Sequence, residues 1–434
     1  MNRPYRVSSF AGMTVYRGSL IRGIILALSL TLCSPLFAQP IDEAQLFQST
    51  DSIQKVESSD LSDAAIEKES TTFTGQLFSR TLYSMARSGH WDSNSLVSYS
   101  QANIFMDTRL QRGTKVFLNI ELSQLASANA TLGSIATIRE IFLDFNINRE
   151  IYIRTGKQVL QWGRSYFWNP TDLVNTEHRD FFQLNRYRDG SYGTRVHVPI
   201  GAAQNIYVFL SQQNATNIDK IAVAAKYEFL LGNSEIGLST WQKRNAVSLY
   251  GIDFSSRLGD LDIKGESAFS YGENTPRVRM VDNTVNLYTV RGEWTNKSSL
   301  TVQKNWDWDL PERISLTGEL FFNSHGYTQS TFANSQLKAA LFSNTLYVPN
   351  MNNQWYGSIF STISKFPISE MTLGFNILSN LSDASNITGC SLTYSPLAHL
   401  TFSGYVYGYW GDPHGEYTYA GNSLSTEVSG TVEF

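Results

Sequence analysis

The chain has 434 residues, of which 13% are aromatic and 17% charged, with a formal net charge of −4. After residue 38 no run reaches the roughly 18 apolar residues of a membrane-spanning helix, so a helical membrane protein is excluded, and the acidic balance argues against nucleic-acid binding. Only two cysteines, Cys33 and Cys390, are present, and a disulfide framework is excluded with them.

At the start, Arg17 and Arg22 precede an apolar run over 23–32, followed by Ser34, Pro35 and a small residue at Ala38. This order predicts a secretory signal over 1–38 with cleavage after Ala38. Counting from Met13 gives a more ordinary signal length, so Met13 is an alternative start. A lipoprotein would use Cys33, but Leu32 before it is bulkier than such processing sites prefer. Removing 1–38 deletes Arg3, Arg6, Arg17 and Arg22 and no acid, taking the net charge from −4 to about −8. Cys390 is then alone. Residues 39–71 are polar and acidic, with Asp42, Glu43, Asp51, Glu57, Asp60, Asp63, Glu67 and Glu69. They read as a disordered periplasmic arm, with a short helix over 60–69 as the alternative.

From Thr72 to Phe434 the side chains alternate. Val116, Leu118, Ile120 and Leu122 share one face, opposite Lys115, Phe117, Asn119, Glu121 and Ser123. Ile141, Leu143, Phe145 and Ile147 repeat the pattern, as do Ile221, Val223, Ala225, Tyr227 and Phe229, and Met371, Leu373, Phe375 and Ile377. Successive side chains of a strand point to opposite faces, and a wall with lipid on one side and water on the other needs this two-residue period. Short links are expected at 111–114, 148–150, 201–204, 232–233, 259–260, 311–313, 366–369 and 395–398. Longer polar links are expected at 87–94, 127–136, 212–219, 271–283, 325–353, 380–386 and 411–422. The prediction is an all-β fold: a transmembrane antiparallel up-and-down β-barrel of about 18 strands, with 16 as the fallback because 285–310 could hold one strand or more.

Residues 156–195 break the rhythm. This is the longest predicted connection, rich in Trp and Phe, and Arg154, Lys157, Arg164, Arg179, Arg186, Arg188 and Arg195 outnumber Asp172, Glu177, Asp180 and Asp189 there. Asn169-Pro170-Thr171-Asp172 is a turn sequence, Pro170 presetting the backbone and Asp172 able to accept backbone N–H groups. Gly156, Lys157, Gln158, Trp162, Gly163, Arg164, Phe167, Asn169, Pro170, Thr171, Asp172 and Asn175 together resemble an uncharacterised porin-like family of proteobacterial outer-membrane barrels. Similarity extends to 316–323 and the last strand; where family members often carry Pro, this chain has Thr176. The resemblance implies a passive barrel with a long inward-folded loop. Charges on such a loop set the field in a pore. Trp162, Arg164, Asp172, Arg179, Arg186 and Arg188 are therefore the candidate constriction and selectivity residues. The alternative is that these charges pair and hold the loop to the wall.

In the next-to-last strand, Leu400, Phe402, Val406 and Trp410 would face outward and Tyr405, Tyr407 and Tyr409 the lumen. Those rings could stack on a sugar or simply fill wall or an interfacial girdle. The chain ends Leu424, Thr426, Val428, Gly430, Val432, Phe434, with polar residues between, resembling the final strand of Gram-negative outer-membrane barrels, whose last Phe is read by the assembly machinery. Phe434 is the candidate assembly signal.

Catalysis finds little support. Of six histidines, His178 (among Glu177, Arg179 and Asp180) and His90 (beside Asp92) are the ones with acids close in sequence, while His197 and His399 fall near the predicted periplasmic side. No pair has metal-ligand spacing, no triad is compelling, and the arm is too short for the plug of a TonB-dependent transporter. The expectation is a porin-like passive channel for small hydrophilic solutes, without enzymatic activity or cofactor, integral to the bacterial outer membrane with both termini periplasmic. Its expected partners are outer-membrane lipid and lipopolysaccharide, the barrel assembly machinery and the solutes, with a homo-oligomer to consider and no nucleic acid. The runner-up is a non-conducting barrel that binds surface polysaccharide, as capsule-assembly barrels do.

Overall fold

The computed structural model describes residues 69–88, 94–127, 130–174 and 187–434. The expected signal and nearly all of the arm lie outside them. The first strands are β1 (Ser70–Ala86), β2 (Ser95–Arg109), β3 (Lys115–Ser127), β4 (Ala130–Ile147), β5 (Ile151–Gln158) and β6 (Ser191–Ile200). They continue as β7 (Gln204–Ser211), β8 (Ala222–Leu231), β9 (Ser234–Lys243), β10 (Leu249–Leu258) and β11 (Leu261–Tyr271). A side hairpin, β12 (Arg277–Val281) and β13 (Thr284–Tyr288), stands apart from the main sheet. Then come β14 (Trp294–Trp308), β15 (Leu310–Asn323), β16 (Trp355–Ser364), β17 (Met371–Asn380), β18 (Ser385–Leu397), β19 (Leu400–Gly411) and β20 (Asn422–Glu433).

Leaving the hairpin aside, each strand pairs antiparallel with the next, and β20 pairs with β1, which closes an 18-stranded barrel. Closure matters because an open edge in lipid leaves backbone groups unpaired. At the seam, Gly75 N donates to Phe434 O at 2.6 Å and Phe434 N to Gly75 O at 2.9 Å. A side chain at Gly75 would fall on the Phe434 ring, so glycine is what lets the terminal aromatic lie flat on β1.

The two-residue period resolves as expected into two faces. Outward positions such as Leu122, Ile141, Val223, Phe375, Phe402, Val406 and Val428 are exposed, whereas Asn119, Glu121, Lys226, Asp253, Ser425 and Glu427 point inward and are buried. Outward aromatics gather at the two ends: Trp294, Tyr271 and Trp355 at one, Trp306, Trp308 and Phe366 at the other. Such belts suit a membrane–water boundary. The start of β1 and Phe434 share the end that carries the short turns.

Several links differ from expectation. Where a long link is expected at 127–136, Ser127 and residues 130–136 are ladder, since β3 and β4 stay paired through Ser123↔Ile135 to Ser127↔Ala130. The turn expected at 311–313 falls at Asp309, whose φ of 59° reverses the chain so that Pro311 and Arg313 open β15. β18 runs on to Leu397, and only 381–384 separate β17 from β18. Within 285–310 there is one barrel strand, β14, preceded by β13 of the side hairpin. The 325–353 link holds a helix the alternation did not announce, α1 (Ser335–Ser343), whose Asn334 side chain caps the Gln336 and Leu337 amides. Its apolar residues pack with Val278, Phe332 and Tyr347.

Candidate functional site

The 156–195 segment is shorter as a loop than its sequence suggests, because β5 continues to Gln158 and β6 begins at Ser191. Leaving β5, Val159 N donates to Glu140 on β4. Leu160 and Trp162 then bury themselves against Phe209 of β7 and Ala224 of β8. Lys226 holds the Trp162 carbonyl at 2.5 Å. Arg164 carries its guanidinium into a ring of wall carboxylates, Glu228 at 2.8 Å together with Glu235 and Asp253.

Beyond Arg164 the backbone itself is tied down. Glu266 on β11 accepts from the amides of Arg164, Ser165 (2.5 Å) and Thr171 (3.1 Å) and from the Thr171 hydroxyl (2.7 Å). Glu319 on β15 accepts from the Phe167 and Trp168 amides, both at 2.8 Å. Ser165 Oγ meets Ser299 Oγ of β14 at 2.8 Å. Carboxylate oxygens are strong acceptors for backbone N–H groups, and these two carboxylates do for an irregular segment what a neighbouring strand does for a ladder. The loop tip is also wedged apolarly: Phe167 and Trp168 sit among Phe321, Tyr356, Phe360, Tyr405, Tyr407, Tyr409 and Tyr417. Trp168 stacks on Phe321 with centroids 5.6 Å apart, and its Nε1 donates to Asn350 O at 2.8 Å.

The predicted Asn169–Asp172 turn forms, Asp172 N donating to Asn169 O at 3.1 Å. The Asp172 carboxylate takes Arg188 at 3.0 Å. On the near wall the charges pair likewise: Arg139 with Glu121, Arg154 with Asp144, Lys157 with Asp189, and Arg80 with Glu427. Asp189 and Glu235, at 41% and 42% side-chain exposure, are the members of these pairs that face water most openly.

Of the predicted site residues, Trp162, Arg164, Asp172 and Arg188 are thus gathered on one inward segment, their charges paired. Arg179 and Arg186 lie outside the described residues, as do His90 and His178. Tyr405, Tyr407 and Tyr409 face the lumen but are covered by the loop tip, Tyr407 completely. Glu266 and Glu319 were missed as loop anchors. In sequence each is one polar residue at an inward position, and no local signal marks an acceptor for amides 95 to 152 residues away.

No family model matches the chain, and no curated protein matches it. Solved structures do share its fold. OccAB1 of Acinetobacter baumannii has a TM-score of 0.51 at 12% identity, over 84% of this chain and 96% of that one. OccK11 (OpdR) of Pseudomonas aeruginosa has a TM-score of 0.50 at 8% identity, over 84% and 96%. OccK2 (OpdF) of the same organism, solved in complex with glucuronate, has a TM-score of 0.50 at 10% identity, over 84% and 98%. The fold is therefore that of outer-membrane porins.

Proposed function

We propose that the chain is a passive channel for small hydrophilic solutes across the bacterial outer membrane, with the short-turn end and both termini in the periplasm. The observation that carries this reading is the inward loop fastened along one wall of a closed barrel whose inner face is charged and hydroxylated. A barrel needs no such internal fixture to be stable; a loop held there narrows a passage. Arg164 and its three carboxylates, with Lys226 beside them, put both signs of charge at this level, which favours weak ion selectivity. Phe434, laid along the seam, suits recognition by the barrel assembly machinery, and the aromatic belts suit lipid and lipopolysaccharide. Liposome swelling tests the proposal: vesicles holding the purified protein should swell in arabinose, glucose and glucuronate, the compound held by OccK2, and swell less in a trisaccharide. Vesicles that take up none of these would overturn it and favour the polysaccharide-binding alternative.

A further inference from the structure

Above the loop tip, three outer links meet on one carboxylate. Glu416, in the link between β19 and β20, is fully buried. Its Oε1 accepts from Tyr347 Oη and Asn350 N, both at 2.8 Å, in the link between β15 and β16. Its Oε2 accepts from Tyr356 Oη at 2.6 Å and from Asn380 Nδ2 at 2.8 Å, at the start of β16 and the end of β17. The Glu416 amide donates to Asp383 Oδ2 in the link between β17 and β18. All four donors to the carboxylate are neutral. Facing it are Asp383, Tyr347 and Tyr356, with Asp412, His414, Tyr417 and Tyr419 on its own link; Lys338 of α1 lies over the Tyr419 ring, its Nζ 5.7 Å from the centroid.

This nest is joined to the constriction through one residue. Asn350 donates its amide to Glu416, accepts Tyr417 Oη on its side chain at 2.8 Å, and accepts Trp168 Nε1 on its carbonyl. Trp168 is also the residue whose amide Glu319 holds. Outer links, Asn350, Trp168 and the barrel wall therefore form one continuous hydrogen-bonded chain.

We propose that Glu416 is a proton-operated latch, resting on the channel reading above: protonated, it locks the outer links and the loop tip together; ionised, it lets them loosen and the passage widen. Burial, followed by the charge of Asp383, pushes the Glu416 carboxyl up to about 7 from an ordinary 4.5, against the lowering effect of its donors. Burial pushes Asp383 up as well. An acid whose value is raised in the locked state stabilises that state fully below its ordinary value, and the stabilisation is lost as pH rises to about 7. Across that window the unlocked fraction can grow by roughly a hundredfold or more.

The test uses the purified full chain. Hydrogen exchange of peptides covering 345–354 and 412–420, corrected for intrinsic rates, is compared at pH 5 and pH 8, alongside conductance in planar bilayers. Expected are protection at pH 5 that falls at pH 8, a larger or noisier unit conductance at pH 8, and loss of both pH effects in Glu416→Gln, which has no proton to lose at this position. Tyr347→Phe, which keeps the ring and removes a donor that lowers the Glu416 value, should shift the transition to higher pH. Unchanged protection between the two pH values, or a pH response retained in Glu416→Gln, would overturn the latch even if the channel conducts. Silent insertion at both pH values would instead overturn the channel reading, while exchange still reports on the latch.

Discussion

Replacing Glu266 by alanine removes the acceptor for three amides and one hydroxyl of the inward loop, those of Arg164, Ser165 and Thr171. A buried donor left without a partner costs about 1–3 kcal/mol, so stranding four costs on the order of 4–12 kcal/mol. That approaches the whole stability of an ordinary domain, roughly 5–15 kcal/mol. The barrel ladder does not run through these bonds, so the cheaper response is for 163–172 to leave the wall and solvate its donors. Single-channel recording should then show unit conductance rising in the order wild type, Glu266→Gln, Glu266→Ala, Glu266→Ala with Glu319→Ala. Glutamine ranks between because one carboxamide oxygen still serves part of the set. Added protease should cut between 159 and 174 in the alanine variants alone. A Glu266→Ala channel with native conductance and an uncut loop would refute the claim that this carboxylate holds the loop.

Trp168→Ala empties a site that is 2% exposed; a loss of about 3–5 kcal/mol is expected for a buried tryptophan. It should appear as current noise from a loosened tip while the heat-modifiable gel mobility of the folded barrel persists. Arg164→Ala leaves Glu228 and Asp253 to Lys226 and takes away the arginine that pairs with Glu235. One uncompensated charge acts on an ion about 4 Å away with about 1 kcal/mol in water, a few-fold change in local concentration, so the reversal potential in a KCl gradient should move toward cation preference. Gly75→Val pushes a side chain into the Phe434 ring; overpacking costs about 1–3 kcal/mol, readable as a lower urea midpoint for unfolding.

Much of the barrel was legible because lipid and water impose opposite demands on alternate residues, so Leu122 against Glu121, or Val428 against Glu427, carries the register in the sequence itself. Strand ends were harder to read. Residues 130–136 look like part of a loop because most of them are small, yet their backbones still find ladder partners. Asp309 turns the chain through a left-handed conformation while Pro311, the stronger turn signal, opens the next strand. In the inward loop, residue types announced an ordered aromatic segment, and Arg164 and Asp172 stood out by charge. What they would bind was not legible: Glu266, Glu319 and Asn350 come from distant strands and links, and an amide caught by a carboxylate leaves no mark in local composition. Tyr405, Tyr407 and Tyr409 were placed on the inner face by period alone, whereas their covering by Phe167 and Trp168 depends on where a different loop comes to rest.

The placement of that loop inside the cylinder is most directly tested by a cysteine pair at Ser165 and Ser299, whose hydroxyl oxygens are 2.8 Å apart, introduced with Cys390→Ser so that no other thiol remains among the described residues. Mild oxidation of the protein in membranes should join the two cysteines within one chain, read as a gel shift reversed by reductant. Two thiols that stay open to a maleimide after oxidation would contradict the account.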